Sequence, residues 1–128
     1  MSATRSTARK RAILLMLEQH DESNYLEIGA PPWTATTIAS QVGGSVQSVA
    51  RTLRAMALAG DIVAVRDRQE VFNALARSGI MAPVTAYFSA VTMARDVARA
   101  EAWAAGAADR SRIAFDAMTS KFNSGATD

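Results

Sequence analysis

The chain has no cysteine, which excludes disulfides and every thiolate-ligated metal site. It has one histidine, His20, and three prolines. Glu18, Asp21 and Glu22 surround His20 as a weak set of metal ligands. The simpler reading is a histidine near a helix C-terminus, where the dipole favours it. No apolar run approaches the roughly 18 residues of a membrane-spanning helix. The N-terminal "MSATRSTARKRAILLMLEQH" places basic residues before the short run "AILLML". There "EQHDE" follows in place of a small-residue cleavage site, so the segment reads as a first helix. The expectation is a cytoplasmic protein with no membrane association. A glycine-rich phosphate loop is missing, and no nucleophile has an evident base. Asp21 and Glu22 lie in a polar stretch with nothing apolar to raise a carboxyl pKa. An enzyme is not expected, nor a cofactor or a metal.

What is present suits one compact domain, or a small domain with an appendage. Of the 128 residues, 49% are hydrophobic. Many of these are alanines that bury little area each, and a thin core of this kind draws part of its stability from a partner subunit. The net charge of +2 is unevenly placed. Residues 1–79 carry nine Lys/Arg against seven Asp/Glu, and residues 80–128 carry five of each. Arg5, Arg9, Lys10 and Arg11 form the densest basic run, which is compatible with an anionic partner. Arginine outnumbers lysine 12 to 2, as a GC-rich genome alone would produce.

Periodicity predicts a first helix from about Thr7 to His20, with Ala8, Ala12, Leu15 and Met16 at helical spacing and Ile13 and Leu17 widening the stripe. "DESNYLEIGAPP" then breaks it, because Pro31 and Pro32 cannot continue a helix. Thr34 is the N-cap of a short second helix, Ala35 to Gln41. Trp33 at N′ and Ile38 at N4 have the spacing of a hydrophobic staple. Gly43-Gly44 ends that helix, since glycine permits a positive φ. Ser45 caps a third helix running to Ala59, with Val46, Val49, Leu53 and Met56 as its inward stripe, and Gly60 stops it. Two short strands, 62–66 and 70–76, are joined by a polar turn at 67–69. Gly79 and Pro83 mark a boundary. From Pro83 to about Phe122 helix formers dominate. This predicts a long helix broken near Gly106, with Val84, Tyr87, Val91, Ala94, Ala98, Ala105 and Ala108 as a small-residue seam. The alternative is that alanine, the best helix former, simply packs on its own domain.

The corner between the second and third helices carries a resemblance. Ala39 is small where two helices must approach. Val42 and Gly43 close the second helix, and Val49 packs back under the corner. Leu53, Met56 and Gly60 follow four, seven and eleven residues later. This order resembles the helix-turn-helix of bacterial winged-helix regulators. "AGDI" resembles the family's approach to the first wing strand, and "VFNALARSG" (71–79) its second. The helix beyond is similar to the dimerisation helix of MarR-like and PadR-like regulators. The resemblance covers residues 8–79 by pattern and 83–122 by expected architecture. It implies a mainly α protein with a small β-wing. Residues 1–80 would form a winged helix-turn-helix DNA-binding domain, and residues 81–128 a C-terminal helical dimerisation region.

A major groove about 12 Å wide admits one α-helix. Residues of the third helix facing away from its apolar stripe are therefore the candidates for contact with DNA: Ser45, Gln47, Ser48, Arg51 and Thr52, with Arg54 near the edge. Gln pairs with adenine and Arg with guanine. The absence of any Asp or Glu from Ser45 to Ala59 favours DNA over a merely solvated face. Arg66 and Arg68 flank the wing turn, within reach of phosphates or a minor groove, although Asp67 and Glu70 beside them suit a salt-bridged surface equally. Arg9 and Lys10 neutralise flanking phosphates in this reading, or belong to a solvated terminus. The resemblance implies a homodimeric transcriptional repressor that binds double-stranded DNA through a dimer built on residues 83–122. Family members often bind small apolar effectors; Tyr87, Phe88 and Trp103 would line such a pocket, or are core. A plasmid or phage protein for partition, replication or packaging, and a winged-helix module for protein–protein contact, remain as alternatives.

Overall fold

The computed structural model describes residues 7–73, 75 and 77–126; Arg5, Ala74 and Ala76 lie outside the described residues. Among the described residues, six helices and three strands follow in the order α1 (Ala8–Glu18), α2 (Glu22–Ile28), β1 (Trp33–Thr34), α3 (Ala35–Val42), α4 (Val46–Ala59), β2 (Ile62–Asn73), β3 (Ser78–Ser89), α5 (Met93–Ala105) and α6 (Ala107–Ala126). The protein is mainly helical, with one small antiparallel sheet ordered β1-β3-β2.

The helices around the corner stop and start where their caps dictate. Thr7 accepts from the Lys10 backbone N–H, Thr34 from that of Thr37 and Ser45 from that of Ser48. Each satisfies an orphan donor of a first turn. Gly60 ends α4 in the left-handed region at φ 87°, where any side chain would be strained. Trp33 and Ile38 are both buried, as a staple requires, and the Trp33 indole N–H donates to the Gly29 carbonyl at 2.9 Å.

The core gathers Ile13 and Leu17 of α1, Tyr25 of α2, Ile38 and Ala39 of α3, and Val49, Leu53 and Met56 of α4, with Trp33, Ile62 and Tyr87. Val49, Leu53 and Met56 face inward as their spacing requires. Val46 does not: it sits in the first turn of α4 and is 42% exposed.

Three expectations are corrected. "DESNYLEIGAPP" is not all loop: Asp21 caps α2 through the Ser23 N–H, and the Asn24 side chain returns the bond to the Asp21 N–H. This reciprocal box sustains a helix that two distant prolines did not forbid. The wing is not two short strands about a turn at 67–69. Asp67, Arg68 and Gln69 lie within β2, which pairs with β3 from Ile62↔Ser89 to Asn73↔Ser78. The helix expected from Pro83 starts only at Met93, so Val84 and Tyr87 belong to β3 and not to a helical seam. Gly79, Ile80, Met81 and Pro83 likewise lie inside β3. Proline is tolerated there because β1 reaches only Ala86 and Tyr87, which leaves that side of β3 an open edge at residue 83. The break at Gly106 stands, between α5 and α6. Among the described residues no helix is long and apolar enough to cross a membrane.

Candidate nucleic-acid interface

The candidate residues divide into those whose side chains face solvent and those used to build the surface. On α4, Gln47, Arg51 and Arg54 are exposed, on the side opposite Val49, Leu53 and Met56. Ser45, Ser48 and Thr52 are committed to structure. Ser45 is the N-cap, at 3.1 Å from the Ser48 nitrogen. The Thr52 hydroxyl donates to the Ser48 carbonyl at 3.3 Å. The Ser48 hydroxyl accepts from Arg9 Nη1.

Arg9 thus reaches from α1 to the first turn of α4, across 39 residues of sequence. Its guanidinium also overlies Gly44, where a Cβ would lie 2.8 Å from Arg9 Nη2. Gly44 has φ +94°, so both backbone and space favour glycine there. A cation is therefore held beside the positive end of a 14-residue helix, and the pair presents one electropositive edge. Lys10 lies one residue on in α1, and its backbone N–H completes the Thr7 cap at 3.2 Å.

The hairpin carries the other two candidate arginines, Arg66 and Arg68. Strand alternation puts Ala64, Arg66 and Arg68 on one face of β2, paired with Tyr87, Thr85 and Pro83. Arg66 Nη1 donates to Thr85 Oγ1 at 3.0 Å, and Arg68 is exposed. That face looks towards α4: Ala64, Thr85 and Tyr87 enclose a cavity of about 540 Å³ with Arg54, Ala57 and Leu58. Arg54 borders this cavity, Arg66 adjoins it through Thr85, and Arg68 lies further along the same face of β2. Asp67 falls on the opposite face and accepts from Gln69 Nε2 at 2.9 Å, so it does not neutralise them. Gln69 in turn ties the hairpin to the Pro32 carbonyl at 3.1 Å.

The proposed aromatic effector pocket is not assembled. Tyr87 borders the cavity beside α4, and Phe88 points to the other face of β3. Trp103 of α5 instead packs edge-on against Tyr25 at 5.6 Å, with the Arg110 guanidinium 3.4 Å over its ring.

Sequence reasoning missed a polar hub beneath these elements. His20 is buried and joins Tyr25 and Asp96. Its Nδ1 lies 2.6 Å from the Tyr25 hydroxyl, and its Nε2 lies 3.1 Å from the Leu17 carbonyl and 3.3 Å from Asp96 Oδ1. A neutral ring with the proton on Nε2 satisfies all three, with Tyr25 O–H donating to Nδ1. Burial holds the His20 pKa below its ordinary value; Asp96 opposes that shift, and Arg95 and Arg99 add to it. Burial likewise raises the Tyr25 hydroxyl. Asp96 is fully buried, and its oxygens also accept from Thr92 Oγ1 at 2.8 Å and Arg95 Nε at 3.0 Å. Arg95 and Arg99 donate to the Glu18 and His20 carbonyls at 2.5 and 2.9 Å. The hub clamps α5 onto the end of α1. The one sequence signal was an isolated histidine beside a helix end; its partner lies 76 positions away. Among the described residues no cluster of His, Cys, Asp and Glu has the composition to hold a metal.

No family model matches the chain, and comparison with curated proteins and with solved structures finds no significant similarity.

Proposed function

We propose that the protein is a winged-helix binder of double-stranded DNA that reads sequence with α4, grips backbone with the hairpin, and acts as a homodimeric transcriptional repressor. One observation carries the reading. The exposed face of α4 carries Gln47, Arg51 and Arg54 and no acid along its length, and Arg54 borders a cavity with Ala64 and Thr85 of the hairpin, on the face of β2 that also carries Arg66 and Arg68. Arg9 adds a cation at the N-terminal end of that helix. A helix of this kind fits a major groove, and arginines on a flanking ribbon suit phosphates or the adjoining minor groove.

Exposed apolar groups at the other end of the chain support the dimer in this reading. Phe115 and Met118 of α6 are exposed three residues apart on one helix face, a pair of large apolar groups that association with a second copy would cover. Two copies would then place paired α4 helices in major grooves about 34–36 Å apart. The role as a repressor rests on the resemblance to MarR-like and PadR-like regulators. The test is fluorescence anisotropy with a random duplex across a salt series. Binding near about 50 mM salt that weakens steeply towards about 200 mM is expected. No binding at the low end would remove the reading and leave a protein–protein module.

A further inference from the structure

The hairpin is longer than contact with backbone phosphates needs. Beyond Gln69, its tie to Pro32, residues 70–73 and 78–81 continue the ladder as a two-stranded ribbon. Four residues per strand extend it roughly 13 Å, more than the depth of a minor groove at about 7.5 Å. Ser78, Gly79, Ile80 and Met81 are all exposed along this length, while the strand turns fully buried only at Ala86. Leu75 at the end of the hairpin is 98% exposed.

A leucine standing in water at the end of a ribbon gains nothing from folding. In "NALAR" Leu75 is the single large apolar residue. Ile80 and Met81 occupy opposite faces of the ribbon by alternation. A groove that encloses both faces suits that distribution. The cations are Arg66, Arg68 and Arg77 against Asp67 and Glu70, which favours an anionic occupant. An apolar wedge among arginines is the chemistry that unstacks a base step from the minor groove.

We propose that the hairpin is a DNA-bending arm: Leu75 wedges into a base step from the minor groove while Arg77 holds a flanking phosphate and Arg66 and Arg68, further back along the ribbon, neutralise more distant phosphates. The inference rests on the DNA-binding reading and adds a deformation to it. Bound DNA is then kinked towards the major groove by roughly 20–90°, and flexible pyrimidine–purine steps under the arm are favoured.

The test is end-to-end energy transfer on a doubly labelled duplex of about 30 bp, a length on which bending is read directly, at saturating full-length protein. Wild-type protein should shorten the end-to-end distance. Leu75→Ala should abolish most of the shortening while still binding, and Leu75→Met, which keeps a flexible apolar wedge, should restore it. Arg68→Ala should need more protein to saturate but reach the same bend. Straight DNA under saturating wild-type protein overturns the inference and leaves the DNA reading intact. So does an unchanged bend with Leu75→Ala. Loss of self-association by Leu75→Ala, with the bend retained, assigns the arm to protein contact and overturns it too. Failure of the wild type to bind any duplex removes both.

Discussion

His20 sits where α1, α2 and α5 meet, and its surroundings make it neutral in the folded state. Burial disfavours the imidazolium more than Asp96 favours it, so the folded pKa lies below the ordinary 6.5. The unfolded chain then takes up a proton more readily than the folded one. The stability that His20 contributes is full above pH 6.5 and is lost as pH falls through the lowered folded value. Since His20 is the only histidine, this window belongs to it. The urea midpoint should fall between about pH 7.5 and about pH 5.5, and His20→Gln should flatten that part of the profile. A slope that persists in the variant would contradict the assignment. Asp96→Ala removes the acceptor shared by Thr92, Arg95 and His20. It should cost roughly 2–3 kcal/mol, measured by urea unfolding at neutral pH.

The corner between α3 and α4 was legible because its signals are local. Thr34, Gly43, Ser45 and Gly60 each act within a few residues of themselves, and α4 ends where they put it. The start of the hairpin at Ile62 was legible from its β-branched residues, but its length and its second strand were not. "PVTAYFSAV" spaces Val84, Tyr87 and Val91 at helical intervals, and only pairing with β2 and β1 makes residues 84–89 a strand. Nothing near Pro83 in sequence reports that its open edge tolerates proline. Among the site residues, the outward set Gln47, Arg51 and Arg54 followed from helix period. The commitment of Ser48 to Arg9 did not, because it joins α1 to α4 across 39 positions. Gly44 links the two lessons. Gly44→Ala should cost roughly 1–2 kcal/mol from its left-handed backbone and displace Arg9 from Ser48. Thermal unfolding reads the first effect. The second should appear as weaker binding to all duplexes alike, and a loss confined to one sequence would contradict the backbone role of Arg9.

At the scale of the whole molecule, α6 leaves large apolar groups exposed at the far end of the chain from α1 and α4. Phe115→Asp with Met118→Asp should convert a dimer to a folded monomer, since neither side chain is part of the core of a single copy. Light scattering gives the mass and circular dichroism the fold; an unchanged dimer would move the interface away from α6. If α4 reads bases while the hairpin holds backbone, binding to a selected duplex and to a random one separates the two roles. Gln47→Ala and Arg51→Ala should each cost roughly 1–3 kcal/mol on the selected site and little on random DNA. Arg68→Ala should weaken both alike and lower the salt slope by about one. Equal losses on both duplexes for Gln47→Ala and Arg51→Ala would contradict the account, because α4 would then touch only phosphates.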